Sequence, residues 1–524
     1  FKSRDCLPTP CEAFKGYPYY PKLILYFGGI MKYLVPFILV AFIHSTIINI
    51  PGDYPSIQQG INASVNGDTV LVQPGIYYEN INFNGHNITL TSMFIMDADT
   101  SHISQTIIDG NQNGSVVIFN NFEGNSSILQ GLTITNGLNN NGAGIYFESS
   151  SPTFIDLVVT ENTAVDNGGG IYGYGSNGLI YPNFTNVSIT DNTSSYGGGG
   201  GIYFQSNTIA SMDNVTITGN SASTLGGGIY AAGNSSFELA NSLIQNNTSN
   251  NGAGIYFKEG SSPTIADVII TGNIAVNSGG GIYGYGSNGL IYPNFTNVSI
   301  TDNTSSYGGG GGIYFQSNTI ASMDNVTITG NSASTLGGGI YAANSSIQNI
   351  NSILWSNSPN EVCLSGNNNT FLNSHSDIQN GLSGIINHEY NIVQWLSGNI
   401  DHDPLFMFPD TSNYTLQPDS PCIDAGATLV VFDQDTLYQA DPSSFIGAAP
   451  DMGAFEFDIN SQYILGDINQ DFQINVLDIV SLVGIILGEI EENEYNLWAG
   501  DINEDSNLDV LDIVFLVNLI LGSQ

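Results

Sequence analysis

The sequence predicts an all-β chain wound into a parallel β-helix, and three observations predict it. Gly-Ile-Tyr recurs with its isoleucine at Ile145, Ile171, Ile202, Ile229, Ile255, Ile282, Ile313 and Ile340, at spacings of 26, 31, 27, 26, 27, 31 and 27 residues. Repeats of that length mark solenoids, in which each unit buries its apolar face on its neighbours. Gly168–Ala232 returns without a change as Gly279–Ala343, 111 residues later. Within a unit such as Asn214-Val-Thr-Ile-Thr-Gly-Asn220, apolar residues alternate with threonine, the period of a half-buried strand. Asn220 then opens a polar turn, and Gly226-Gly-Gly-Ile-Tyr230 begins the next strand. Helical periodicity is absent from about residue 69 to 400, and each unit is too short for a strand plus a packed helix.

Taken in order, the chain starts with a segment, residues 1–30, that reads as an upstream extension. Met31-Lys32-Tyr33 and the ten apolar residues Leu34–Ile43 have the basic and hydrophobic parts of a secretory signal, spanning 31–46. If residues 1–30 belong to the protein, the stretch 23–43 is about long enough to anchor in a bilayer. Residues 47–457 carry the solenoid, and 464–524 a separate acidic module. Removing residues 1–46 discards Cys6 and Cys11 and leaves Cys363 and Cys422, which form one disulfide or remain two buried thiols.

Charge narrows the partners. The chain holds 46 acidic and 6 basic residues, a formal net charge of −40, and past residue 32 only Lys258 is basic. The mature chain keeps 44 acidic residues against that one lysine. Binding a phosphate backbone needs clustered cations, so nucleic acid is excluded and anionic membrane surfaces are disfavoured.

The solenoid resembles a known group. The Gly-Gly-Gly-Ile-Tyr repeats with upstream Thr-Gly-Asn are similar to the right-handed β-helix repeats of secreted polysaccharide-active enzymes, pectate lyases among them, and of autotransporter-type surface proteins. Tyr54-Pro-Ser-Ile-Gln-Gln-Gly-Ile-Asn62 and Gly67–Tyr77 resemble their N-terminal capping helix and first coil. Ser420-Pro-Cys-Ile-Asp-Ala-Gly426 and Asp451-Met-Gly-Ala-Phe-Glu456 resemble the segment that closes bacterial extracellular β-helices before an anchoring module. The resemblance implies a right-handed coil over roughly 47–457 and a polysaccharide partner.

At the C-terminus two loops place oxygen-bearing side chains at positions 1, 3, 5, 9 and 12, with a backbone carbonyl at position 7. They are Asp467, Asn469, Asp471, Gln473, Asn475 and Asp478, then Asp501, Asn503, Asp505, Asn507, Asp509 and Asp512. Six or more hard oxygens per loop is what Ca²⁺ requires, so two calcium sites are expected. Each loop leads into a helix, Ile479–Leu487 and Ile513–Leu521, both too short to span a membrane. Two such loops 34 residues apart, with Asp at position 12, resemble a type I dockerin over about 464–524, which implies a cohesin-like scaffold or surface partner. Phe472 and Ser506 replace the usual glycine at position 6, and Val476-Leu477 and Val510-Leu511 stand where partner-recognising Ser/Thr are usual.

Catalysis is less legible. β-Elimination on a uronate needs a strong base and cations, and Lys258 alone remains. A hydrolase needs two carboxylates about 5–10 Å apart; Asp156, Glu161, Asp191, Asp213, Asp267, Asp302 and Asp324 all read as strand-end residues, most simply a solvated acidic surface. The histidines His86, His375, His388 and His402 lack metal-ligand spacing. If the repeat isoleucines point inward, the tyrosine after each points out. Tyr146, Tyr172, Tyr203, Tyr230, Tyr256, Tyr283, Tyr314 and Tyr341 then form either an exposed stripe for stacking neutral sugars or an aromatic ladder that only stabilises the coils. The exact duplication offers two identical sites, which suits multivalent binding better than one catalytic cleft. The sequence therefore points to a secreted β-helix that binds or processes extracellular glycan and is attached to a scaffold or surface through its calcium-dependent dockerin-like module. The rivals are a non-catalytic adhesin or structural repeat protein, and a lyase or hydrolase.

Overall fold

Each Gly-Ile-Tyr unit folds as one coil with three faces. In the coil that starts at Ile255, strand Ile255–Lys258 forms the first face, Thr264–Thr271 the second and Ile274–Ser278 the third. The next coil repeats them in parallel register: Ile255 pairs with Ile282, Val268 with Val298 and Ile274 with Thr304. The coils wind as a right-handed parallel β-solenoid. The computed structural model describes residues 45–287, 289–388, 390–409, 412–458, 465–469, 473–490, 494–503 and 507–522. The expected upstream extension and all of the expected signal up to residue 44 lie outside the described residues.

Strand Ile47–Ile50 pairs with the first coil strand, Thr69–Val72, and helix α1 (Ile57–Ala63) packs beside them. The Glu79 carboxylate accepts the N–H groups of Ile57 and Gln58 at 2.9 and 3.0 Å, satisfying donors that a helix start leaves open. A side chain at Gly60 would meet Ile50 Cδ1 at 2.7 Å, so the close approach of α1 to the stack requires glycine there. Two short helices, α2 (Phe94–Asp97) and α3 (Ser101–Gln105), correct the expectation of a helix-free span; at four and five residues neither is long enough to show a helical period.

The core is a set of columns running along the axis. Repeat isoleucines and phenylalanines such as Ile229, Ile255, Phe237, Phe257 and Phe295 are completely buried. Within the second-face strand the inward alternation slips by one residue, so that Phe154, Leu157 and Val159 all point inward. The slip is a bend at Asp156, which adopts left-handed backbone with φ 51°. Asn186, Asn214, Asn241, Asp267, Asn297, Asn325 and Asn351 make the same bend with φ between 50° and 56°, a conformation asparagine and aspartate tolerate best among side-chain-bearing residues. Asp156, Asp213, Asp267 and Asp324 are thus mid-strand residues, whereas Glu161, Asp191 and Asp302 do follow strand ends.

The turn after the second face also differs from expectation. Asn220 opens the polar turn, but it and its equivalents Asn162, Asn192, Asn247, Asn273, Asn303 and Asn331 are fully buried. Each Nδ2 donates to the Oδ1 of the asparagine one coil on, at 2.9–3.0 Å, and the last of them reaches Asn357. The glycines beside the ladder bring successive coils together: a side chain at Gly201 would meet the Gly228 carbonyl at 2.7 Å.

Residues 400–457 run back along the second face as a strap. Strands Phe406–Phe408 and Asn413–Leu416 pair antiparallel, as do Leu429–Phe432 and Asp435–Gln439. Phe406, Tyr414, Leu416, Cys422 and Met452 bury against Ile353. The strap bonds the second face at a bend and at a strand end: Tyr438 O–H donates to the bend residue Asn325 at 3.1 Å, and Tyr414 O–H to Asp302, just past a strand end, at 3.0 Å. Asn351 Nδ2 donates to the Ala427 carbonyl at 3.0 Å. The two copies of the duplication are therefore unequal on this face: Thr327 and Thr329 are 1% and 2% exposed, while their copies Thr216 and Thr218 are half-buried. Cys363 and Cys422 are both buried free thiols, and Cys422 Sγ lies 3.4 Å from Asp377.

Candidate functional site

The C-terminal module has three helices, α4 (Val476–Ile486), α5 (Glu494–Gly500) and α6 (Val510–Gly522). α4 and α6 begin three residues earlier than expected because the loop residue before each caps it: Asn475 accepts from Leu477 N at 2.7 Å, and Asp509 from Leu511 N at 2.7 Å. Ile468, Leu482, Ile485 and Leu516 form the small core between them.

The described loop residues are built for a cation. Asp478, at position 12, is fully buried; one oxygen accepts Ile468 N at 2.9 Å and Asn469 N at 3.2 Å, the other Asn475 N at 2.8 Å. Asp512 repeats this with Asn503 N at 3.3 Å and Asp509 N at 2.9 Å. Each position-12 carboxylate thereby ties the start of its loop to the end. Asp467 is fully buried in the same loop as Asp478, and residues 465–524 contain no Lys, Arg or His. Two buried carboxylates without a cation are costly, and an all-oxygen donor set fits Ca²⁺. Asp467, Asn469, Asn475 and Asp478, with Gln473 through its carbonyl, would hold one ion. Asp501, Asn503, Asp509 and Asp512, with Asn507, would hold the other. Asp471, Asp505, Phe472 and Ser506 lie outside the described residues. Among the described residues no three His, Cys, Asp or Glu side chains gather as a metal group.

On the solenoid, the tyrosine column points out of the core as alternation requires, yet it is not the exposed stripe. Tyr172, Tyr203, Tyr230 and Tyr256 are buried, and Tyr146, Tyr283, Tyr314 and Tyr341 half-buried. Identical register sets each ring on the next, with centroids 4.5–5.6 Å apart. The faces that could stack on sugar are spent on one another. Burial raises the hydroxyl pKa along the column from Tyr146 to Tyr314.

The second outward row of the first face is more open. It runs Glu148, Tyr174, Gln205, Ala232, Lys258, Tyr285, Gln316 and Ala343. Tyr172 and Tyr283 donate from their hydroxyls to Gln205 and Gln316. Lys258 Nζ sits 3.0 Å from Glu259, so the one lysine of the solenoid has its charge partnered. Of this row only Glu148 is a carboxylate.

Asp324, one of the carboxylates read as a solvated acidic surface, is instead buried near the strap, with Glu361, Asp377 and Glu456, which the sequence did not single out. Burial pushes the carboxyls of Asp324 and Asp377 up to about 6 and those of Glu361 and Glu456 up to about 7. Glu361 ends the asparagine ladder, accepting Asn357 N at 3.1 Å. A carboxyl whose folded pKa is raised holds its proton more tightly when folded, so its favourable contribution is complete below the unfolded value and is lost as pH climbs through the folded one. Unfolded values of 3.8 and 4.5 set the lower edge of that window; Asp324, Glu361 and Asp377 are each worth on the order of 2–3 kcal/mol, and Glu456, which is more open to water, less. The solenoid is expected to melt several degrees higher at about pH 5 than at about pH 7.5, and Asp324→Asn to remove part of that difference; a calorimetric scan at both values checks it, and an unchanged or lower melting temperature at the acid value contradicts it.

Comparison with known proteins agrees with this architecture. A family model described as right handed beta helix region matches residues 179–375, and one described as dockerin type I domain matches residues 465–521. No curated protein sequence matches the chain. Among solved structures, that of pectate lyase Pel9A aligns over 79% of this chain and 97% of its own, at 14% identity and a TM-score of 0.38. Dockerin type I domains bind calcium and pair with cohesin partners. The chain is a right-handed parallel β-helix that carries a type I dockerin domain at its C-terminal end.

Proposed function

We propose that this chain is an extracellular, polysaccharide-directed protein held on a cohesin-bearing scaffold by a dockerin loaded with two calcium ions, and that its solenoid holds glycan rather than cutting it. The observation that carries the reading is the pairing of a dockerin domain with a β-helix in one chain. The preference for holding over cutting rests on the first-face row, whose amides and tyrosine hydroxyls suit hydroxyl-rich ligands while its single carboxylate does not suit acid–base hydrolysis. The docking end is apolar: Val476 and Leu477, and their repeat equivalents Val510 and Leu511, are each more than half exposed at the starts of α4 and α6, which favours a cohesin that offers apolar rather than hydroxyl contacts. No helix among the described residues is long and apolar enough to cross a membrane. A second reading, a structural spacer, is favoured by the tyrosine column, whose rings serve one another.

The test incubates the protein with calcium and a panel of neutral and uronate polysaccharides, following reducing ends, unsaturated products and retention in gels containing each polymer. Retention without products is expected. New reducing ends would make it a hydrolase, unsaturated products a lyase, and neither retention nor products would leave the spacer.

A further inference from the structure

The strap builds on the second copy of the duplication something the first copy lacks. Where residues 403–409 and 412–417 cross the second face they border a cavity of about 430 Å³ against the solenoid, lined by Thr329, Trp355, Ser356, Asp403, Tyr414 and Gln417 among others. That volume falls within the range of about 300–1,000 Å³ typical of small-molecule sites, which combine an apolar wall with a few fixed polar groups.

The wall is held in place. Tyr414 O–H donates to both oxygens of Asp302 at 3.0 Å, and Ser412 Oγ donates to one of them at 2.9 Å. Gln417 donates its backbone N–H to the Leu405 carbonyl at 2.9 Å and its Nε2 to the Phe406 carbonyl at 2.8 Å. Asp403 Oδ1 accepts from Leu405 N at 3.0 Å, across a turn in which Leu405 adopts φ 51°. Leucine is rarely found in that region, and a strained turn that holds a carboxylate at a cavity is a recurring mark of a ligand site.

The polar groups define the ligand. Gln417 has spent one of its two amide N–H donors on Phe406, which leaves Oε1 to accept and one N–H to donate; the Asp403 carboxylate only accepts; the Thr329 hydroxyl can do either. A ligand must therefore supply donors to Asp403 and Gln417 Oε1 and can also accept from Gln417 and Thr329, which a ring of hydroxyl groups does. The half-buried Trp355 lines the cavity, and an indole offers an apolar surface suited to the apolar face of a ring. Asp403 and Asp302 put negative charge at the site, so an anionic ligand is repelled. An uncharged sugar ring, apolar on one face and ringed with hydroxyls, meets all three requirements.

We propose that the strap cavity is a binding subsite for one or two units of a neutral saccharide, stacked on Trp355 and hydrogen-bonded by Asp403 and Gln417. The choice of ligand rests on the polysaccharide reading above, but the site is separate from the first-face row. It also gives the strap a role that the duplication alone does not: of two identical solenoid segments, only the strapped one has this cavity.

The test titrates the full chain, with calcium, using cello-, xylo-, manno- and galacto-oligosaccharides and, separately, oligogalacturonides, reading tryptophan emission and calorimetric affinity. Trp355, Trp395 and Trp498 are the only tryptophans, so Trp355→Phe silences the site's reporter while keeping an aromatic ring. At least one neutral oligosaccharide should shift the emission of the wild type and leave that of Trp355→Phe unmoved. Trp355→Ala and Gln417→Ala should each weaken binding by about tenfold or more, with circular dichroism confirming that both variants fold. Unchanged affinity in these folded variants overturns the subsite and leaves the polysaccharide reading standing, as does retention on polymers with no oligosaccharide response. Preference for the uronate oligomers overturns the assignment of a neutral ligand. Absence of both retention and response overturns the subsite and the polysaccharide reading together.

Discussion

Excess chelator is expected to unfold the C-terminal module completely while the solenoid stays folded, read as loss of the helical circular dichroism of residues 476–522 with the strand signal intact. Residues 465–524 carry 12 acidic side chains and no basic one. Asp467, Asp478 and Asp512 are fully buried among them. What opposes that repulsion is a core of Ile468, Leu482, Ile485 and Leu516 with a few half-buried neighbours, in a module too small to be stable on apolar burial alone. Calcium binds the folded loops and not the open chain, so its binding energy is folding energy. The solenoid has a separate core with no calcium loop in it. Acidification acts on the module in the opposite sense to the solenoid, because protons compete with metal for the loop carboxylates. Helix retained in excess chelator would show that the apolar core suffices and remove calcium from its stability.

Asn273→Ala is expected to destabilise the solenoid by about 3–5 kcal/mol, far more than an ordinary polar-to-alanine change. The Asn273 amide donates to the Ile244 carbonyl at 3.0 Å, the Thr271 carbonyl at 3.1 Å and Asn303 Oδ1 at 2.9 Å. Its own Oδ1 accepts the backbone and side-chain N–H groups of Asn247, both at 3.0 Å. Truncation strands these partners in a fully buried position where water does not replace them. Thr248→Ala, an exposed position on the next strand, is the control and should cost less than about 0.5 kcal/mol. Denaturant midpoints give the comparison, and hydrogen exchange should locate the damage in the coils on either side, since a solenoid shares stability between neighbours. A loss under about 1 kcal/mol would mean that the ladder is decorative.

Why the sequence left the tyrosines open between stripe and ladder, and did not show that the asparagines are buried, has one physical origin. Alternation along a strand reports direction, and it placed Ile255 inward and Tyr256 outward correctly. It does not report what lies one coil away, and in a solenoid that neighbour decides exposure. Tyr256 is covered by Tyr230 and Tyr283. Asn220 is a turn residue by local pattern, yet its amide is satisfied by Asn247, 27 residues later. The bend at Asp156 was legible in principle, because Phe154 and Leu157 are three apart where strict alternation allows two or four. The strap was not: residues 400–457 have no repeat and no single period, and their place follows from contacts such as Tyr414 with Asp302, 112 residues away. Helix α5 was missed for a related reason, since nothing in the other loop-helix unit repeats Glu494–Gly500. The calcium loops were readable because metal coordination is a local rule, written into spacing within twelve residues.

The 111-residue offset of the duplication is a whole number of coils, four from Ile171 to Ile282. Deleting residues 168–278 would therefore join Asn167 to Gly279 in phase, as it is now joined to Gly168. Every strap contact described, from Asp302 to Asn351, lies after that cut and would survive it. What would change is length alone, by about 19 Å at the usual spacing between strands. The duplication thus acts as a removable spacer block in a measuring rod: recombination between the identical copies can lengthen or shorten the distance from the capped N-terminal end to the strap in fixed steps, without rotating one against the other.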